Sequence, residues 1–176
     1  LGYASFPLFT LLFERVLHGR RFTVADAWTA KLVTLGLVLL TPSVHPSDPA
    51  VQGLGWGLLS GATFALLAVR NRRWRETRSA TDLAWGQNLW AAFLLAPIAL
   101  AMGSPPDIDA RSVVLILALG LACTALAHTL FIGSLDRISA HTASVVAALE
   151  PVYGIALAVL LQGERPGLRT LAGGAL

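Results

Sequence analysis

The stretch AALEPVYGIALAVLLQ, Ala147 to Gln162, sets a glutamate directly before a proline inside an otherwise apolar run. A charge at the centre of a bilayer costs about 2.5 to 3.5 kcal/mol on insertion scales. A proline removes one helical hydrogen bond and crowds the preceding turn. The surrounding run, Ala140 to Leu161, is close to the roughly 20 apolar residues that span a hydrocarbon core. Glu150 falls near its middle, about 15 Å from either end at 1.5 Å per residue. One such run is also compatible with the core of a large soluble protein, so its neighbours decide.

Those neighbours repeat the pattern. Further apolar runs cover Leu1–Leu17, Thr23–Thr41, Gly53–Val69, Leu83–Met102, Ser112–Ile132 and Leu168–Leu176, joined by short polar connectors. The chain is 55% hydrophobic and only 13% charged over 176 residues, where a soluble domain carries roughly a quarter charged residues. Successive runs of spanning length predict helices, because in lipid each backbone must satisfy its own hydrogen bonds. The fold class expected is an all-α integral membrane protein. The first and last runs read as truncated, which predicts a fragment of a longer chain.

The connectors carry the remaining charge. TPSVHPSDPAVQG (Thr41 to Gly53) and GSPPDID (Gly103 to Asp109) are proline-rich, while RNRRWRETRSATD (Arg70 to Asp82) is strongly basic. Alternate connectors hold Arg15, Arg20 and Arg21, then Arg70, Arg72, Arg73, Arg75 and Arg78, then Arg137. The other set holds Arg111, Arg165 and Arg169. This asymmetry places the first set in the cytoplasm. Trp28, Trp74 and Trp85 lie near run ends, where indoles anchor at the interface. Lys31, the only lysine among 13 basic residues, is placed to snorkel to the same face. The net charge of +3 is spread over several connectors and makes no basic face for nucleic acid. Cys123 is the only cysteine, which excludes intrachain disulfides and cysteine metal clusters.

A shift of 144 residues lays FPLFTLLFERVLHGRR (Phe6 to Arg21) over EPVYGIALAVLLQGER (Glu150 to Arg165). Pro7 then matches Pro151, Gly19 matches Gly163 and Arg21 matches Arg165. An odd number of runs separates the copies, so they cross the membrane in opposite directions. Inverted-topology repeats of this kind are a transporter architecture with its site near the midplane.

LEPVYGIALAVLLQGERPGLRTLAGGAL resembles the C-terminal signature of the EamA family in the drug/metabolite transporter superfamily. TALAHTLFIGSLDRISAHTASVVAALEP resembles the helix pair before it, and FPLFTLLFERVLHGRRFT the first-half copy, with Arg20 where a turn glutamate is expected. The resemblance implies a multi-helix bundle of inverted five-helix repeats, of which this chain carries about seven of ten helices. On that reading residues 1–41 end the first repeat, 42–52 form an extracytoplasmic linker and 53–176 make the second repeat. The function implied is secondary transport of small metabolites, amino acids or related compounds, by alternating access. Export across a bacterial inner membrane and proton coupling belong to the same expectation. An intramembrane enzyme or a structural or sensory membrane domain is the alternative. Ser144, Glu150 and His128 do not share a face and depth as a triad would require, so no enzyme is expected.

Glu150 is the leading candidate for binding a cationic group or a proton, since its first-half counterpart is Phe6. Its plain alternative is a protonated carboxyl bonded to a carbonyl that Pro151 frees. Pro7 and Pro151 are expected to kink their helices. His128 is a candidate proton relay, with a reference pKa near 6.5, or a neutral packing residue. Gln87 and Asn88, in WGQNLW, point about 100° apart, so one of the two is expected to face a cavity. Trp56, Thr63 and Tyr153 are candidate cavity residues, Ser60 and Gly61 packing residues, and Gly163–Arg165 with Arg169 a turn with an ion pair. No metal site and no cofactor is expected. The partners expected are the lipid bilayer, a small-molecule substrate, a proton and a second copy of the chain.

Overall fold

The computed structural model describes residues 2–40, 49–103, 108–163 and 167. A 3₁₀ turn at Gly2–Ser5 leads into α1 (Phe6–His18), followed by α2 (Val24–Leu40), α3 (Pro49–Trp74) and α4 (Ala80–Ala101). Next comes α5 (Ala110–Ala118), a π-helical segment at Leu119–Leu126 and α6 (Ala127–Ser134), then α7 (Ala140–Ala147) and α8 (Glu150–Gln162). Among the described residues every regular element is helical.

Several helices start where local chemistry supplies a cap. Thr23 and Asp26 form a reciprocal box: Thr23 N–H donates to Asp26 Oδ2 at 2.8 Å, and Asp26 N–H to Thr23 Oγ1 at 3.2 Å. Ser79 and Ser139 accept from the amides of Asp82 and Thr142 to start α4 and α7. Asp109 starts α5 and accepts from Ser112 N–H at 2.8 Å. Its contacts with the Ser112 side chain and amide hold the Asp109 carboxyl below its ordinary range.

Four helical spans are long and apolar enough to cross a membrane: Val51–Trp74, Ala80–Ala101, Ala110–Ser134 and Ala140–Gln162. Their surfaces are scarcely covered by protein, and Leu, Ile, Phe and Trp side chains stand exposed along them. In water such a surface would be strongly unfavourable; in lipid it is the ordinary exterior. Helix α4 runs through Pro97 without ending, as membrane helices can.

The chain divides into two compact units, Leu1–Arg70 with Ser139–Leu176, and Asn71–Ile138. In the first, α1 packs on α2 and α7. Its centre holds Phe6, fully buried, with ring centroids 5.0 Å from Phe64 and 5.9 Å from Tyr3. Such aromatic pairs contribute about 0.5 to 1.5 kcal/mol each beyond area burial. Close approach is set by glycine: a Cβ on Gly57 would lie 2.9 Å from Gly2 Cα, and one on Gly61 2.9 Å from Ser5 Oγ. Gly61 therefore packs as its sequence context suggests, against the turn that opens α1. In the second unit, Leu83 and Ala84 of α4 pack with Ile132 of α6, joined by Ala80 and Phe131.

Two boundaries differ from the sequence reading. Helix α3 begins at Pro49 rather than Gly53, because proline is well suited to a first helical turn. The rest of the proposed linker, 42–48, lies outside the described residues, as do Glu164, Arg165, Arg169 and the last apolar run. The run Ala140–Leu161 is two helices, with a break at Ala148 and Leu149 ahead of Glu150. A proline disfavours helical geometry in the residue before it and cannot donate to the previous turn. Pro151 lies within the first two positions of α8, directly after that break.

Candidate functional site

The 144-residue match has a geometric counterpart. α1 spans Phe6–His18 and α8 spans Glu150–Gln162, each with proline in its first two positions. The residues before them, Ser5 (φ −69°, ψ −8°) and Leu149 (φ −77°, ψ −8°), share one conformation. Both helices end on a left-handed glycine, Gly19 at φ 65° and Gly163 at φ 67°. Only glycine adopts that conformation without Cβ crowding. The shared motif is thus a broken helix start, a fixed length and a glycine stop.

Glu150 occupies the first turn of α8, where the helix dipole favours a carboxylate. Its side chain is exposed and makes no hydrogen bond among the described residues. Trp56 and Tyr153 are largely exposed, and Thr63 turns back to bond the carbonyls of Leu59 and Ser60, both at 3.0 Å. Lys31 rests over the Trp28 ring at 5.2 Å.

The second unit brings two expected residues together through a third. Gln87 Nε2 donates to Asn71 Oδ1 at 2.6 Å, and Asn71 Nδ2 to Gln87 Oε1 at 3.4 Å. His128 Nε2 lies 2.9 Å from that same Gln87 Oε1. With a carbonyl oxygen facing it, the consistent neutral tautomer carries its proton on Nε2. Asn88 is on a different side of α4 and stays out of this network, so the pair divides as helical geometry requires. Paired amides can exchange roles together, presenting either a carbonyl or an N–H to the ring.

Sequence alone does not single out Asn71, because it sits among arginines in RNRRWR. Its signal is the small, buried face of α3 ahead of it, Ala65, Ala68 and Val69, which it continues at 1% exposure. The π-helical segment is equally hidden. There Thr124 Oγ1 bonds the Leu119 carbonyl at 2.9 Å, five residues back, and the widened turns rotate the facing of α6, His128 included.

A third polar group, unforeseen in the sequence, lies in the first unit. Arg20 bonds Glu14 Oε2 at 2.6 Å and Asp26 Oδ1 at 3.1 Å. His141 Nε2 stands 3.6 Å from the same Asp26 oxygen. Arg20 replaces the expected turn glutamate and is the cation that allows two carboxylates to be buried here.

These features define a multi-pass, all-α membrane protein whose polar groups are gathered at helix breaks and helix ends. The model of the EamA-like transporter family matches residues 51–176, well over half of the chain. The chain belongs to that family, within the drug/metabolite transporter superfamily. Comparison with curated proteins and with solved structures gives no match. Family membership makes the protein a membrane transporter of this type, working in a lipid bilayer on a small-molecule substrate.

Proposed function

We propose that the protein exports small metabolites bearing a cationic nitrogen, such as amino acids and related amines, by proton-coupled alternating access. The observation that carries this reading is Glu150, exposed in the first turn of α8, at a helix start whose backbone matches the start of α1. A carboxylate near the bilayer midplane suits an ammonium group, which gains a charge partner there. Broken helix starts meeting near the midplane are where transporters of inverted design place substrates. Residues 1–41 then end one repeat and 53–176 form the next, with the arginine-rich connectors in the cytoplasm of a bacterial inner membrane. Trp56, Thr63 and Tyr153 are assigned to the cavity wall. Gln87 and His128, joined by Asn71, form a separate polar station for substrate or proton.

Counterflow in proteoliposomes tests this with the full-length protein. Glu150→Gln should weaken uptake of cationic substrates at least tenfold, since one close charge partner is worth about 1.4 kcal/mol or more. Unaltered affinity in that variant would remove Glu150 from the site.

A further inference from the structure

We infer that Arg78 and Arg137 form a clamp for the phosphate of an anionic phospholipid, at the membrane surface where α3 and α6 end. The clamp is separate from the proposed substrate station and does not depend on it.

The turns after α3 and α6 are built alike. The amides of Thr77 and Arg78 both bond the Trp74 carbonyl, at 3.1 and 2.9 Å. Those of Arg137 and Ile138 both bond the Ser134 carbonyl, at 3.0 and 3.1 Å. In each turn the first residue faces inward: Leu135 is 3% exposed and the Arg75 side chain 17%. The residues after it face outward, Glu76, Thr77 and Arg78 in one turn, Asp136 and Arg137 in the other. Arg75 ties the turns together, its Nη1 donating to the Arg78 carbonyl and its Nη2 to the Asp136 carboxylate. One guanidinium thus brings Arg78 and Arg137, the residue after Asp136, to the same small area of surface.

Both of these arginines are exposed, and their guanidinium groups make no hydrogen bond or ion pair among the described residues. Two of the carboxylates close by are committed: Asp136 to Arg75, and Asp82 to Ser79 Oγ at 2.6 Å in the cap of α4. Glu76 is the exposed carboxylate that opposes an anion here, against Arg72 and Arg73 in the last turn of α3. Guanidinium forks match phosphate oxygens in geometry as well as charge. The membrane-spanning stretch Val51–Trp74 ends at this turn, and the Trp74 ring, 40% exposed, is of the kind that favours headgroup depth. Arginine side chains at that depth lie along lipid with their charge at the phosphates. Arginine-rich connectors face the cytoplasmic leaflet, which carries the anionic lipids. A headgroup with its own ammonium would bring another cation to the clamp, so the site suits phosphatidylglycerol over phosphatidylcholine.

The test is native mass spectrometry of the full-length protein, delipidated in a neutral detergent and titrated with phosphatidylglycerol or phosphatidylcholine of the same chains. The first phosphatidylglycerol should bind at least tenfold more tightly than phosphatidylcholine, since each arginine near the surface contributes about fivefold. Arg78→Gln combined with Arg137→Gln should lose that preference and hold one phosphatidylglycerol fewer. Arg111→Gln, at the start of α5, should change neither. Equal affinity of the wild-type protein for the two lipids overturns the clamp, and so does a preference that survives in the double variant. An equal loss in Arg111→Gln would make the effect one of overall charge and overturn it too. Glycerophosphoglycerol, the headgroup without its chains, should fail to displace the lipid at equal concentration. Displacement would make this a site for soluble phosphate esters and overturn the lipid assignment.

Discussion

Replacing Gln87 by leucine removes the centre of the amide–imidazole network at nearly constant volume. Three hydrogen bonds involve this side chain, one donated to Asn71, one accepted from it and one shared with His128. Asn71 is 1% exposed, so water does not readily replace the lost partner. A buried amide left unpaired costs about 1 to 3 kcal/mol. Hydrogen bonds between membrane helices average about 0.6 kcal/mol in double-mutant cycles, up to about 1.7. Together these predict a destabilisation of about 1 to 3 kcal/mol for Gln87→Leu, and a similar value for Asn71→Leu. The double variant is the sharper measurement, since it removes both amides and strands neither. Its cost should fall short of the summed single costs by about 1 kcal/mol. Equilibrium unfolding in mixed micelles reads all three. Strict additivity would refute the pairing as an energetic unit, and single costs near zero would show the site to be water-filled.

Five further substitutions test the scaffold and the site. Gly57→Ala sets a methyl 2.9 Å from the Gly2 backbone and should cost about 1 to 3 kcal/mol, whereas Gly55→Ala meets nothing within 4 Å and should be neutral; thermal unfolding compares them. Gly19→Ala and Gly163→Ala each force a side chain into a left-handed stop and should each cost about 1 to 2 kcal/mol, with similar values because the two backbones match. Glu150→Gln should lower affinity for a cationic substrate in counterflow at least tenfold.

The helices were legible because lipid leaves few alternatives: an apolar run near spanning length must satisfy its own backbone, whatever its β-branched content. The repeat was legible because proline and glycine act locally, so Pro7 with Gly19 and Pro151 with Gly163 impose the same start and stop at both places. Polar partnerships were less accessible. Gln87 and His128 stood out as polar groups in apolar runs, but Asn71 was disguised by flanking arginines, and only packing revealed which amide faced inward. Nothing in the sequence marks Glu14 and Asp26 as buried; their burial depends on Arg20 and on α7 arriving from far along the chain. The π-helical segment has no composition that separates LGLACTAL from an ordinary helix.

Counterflow of amino acids and amines by the full-length protein in proteoliposomes, with and without an imposed pH gradient, tests the central claim most directly. The account predicts saturable exchange of a cationic-nitrogen substrate, accelerated by the gradient and weakened at least tenfold in affinity by Glu150→Gln. Exchange that ignores both the gradient and Glu150, or no exchange by folded protein across the panel, would contradict it.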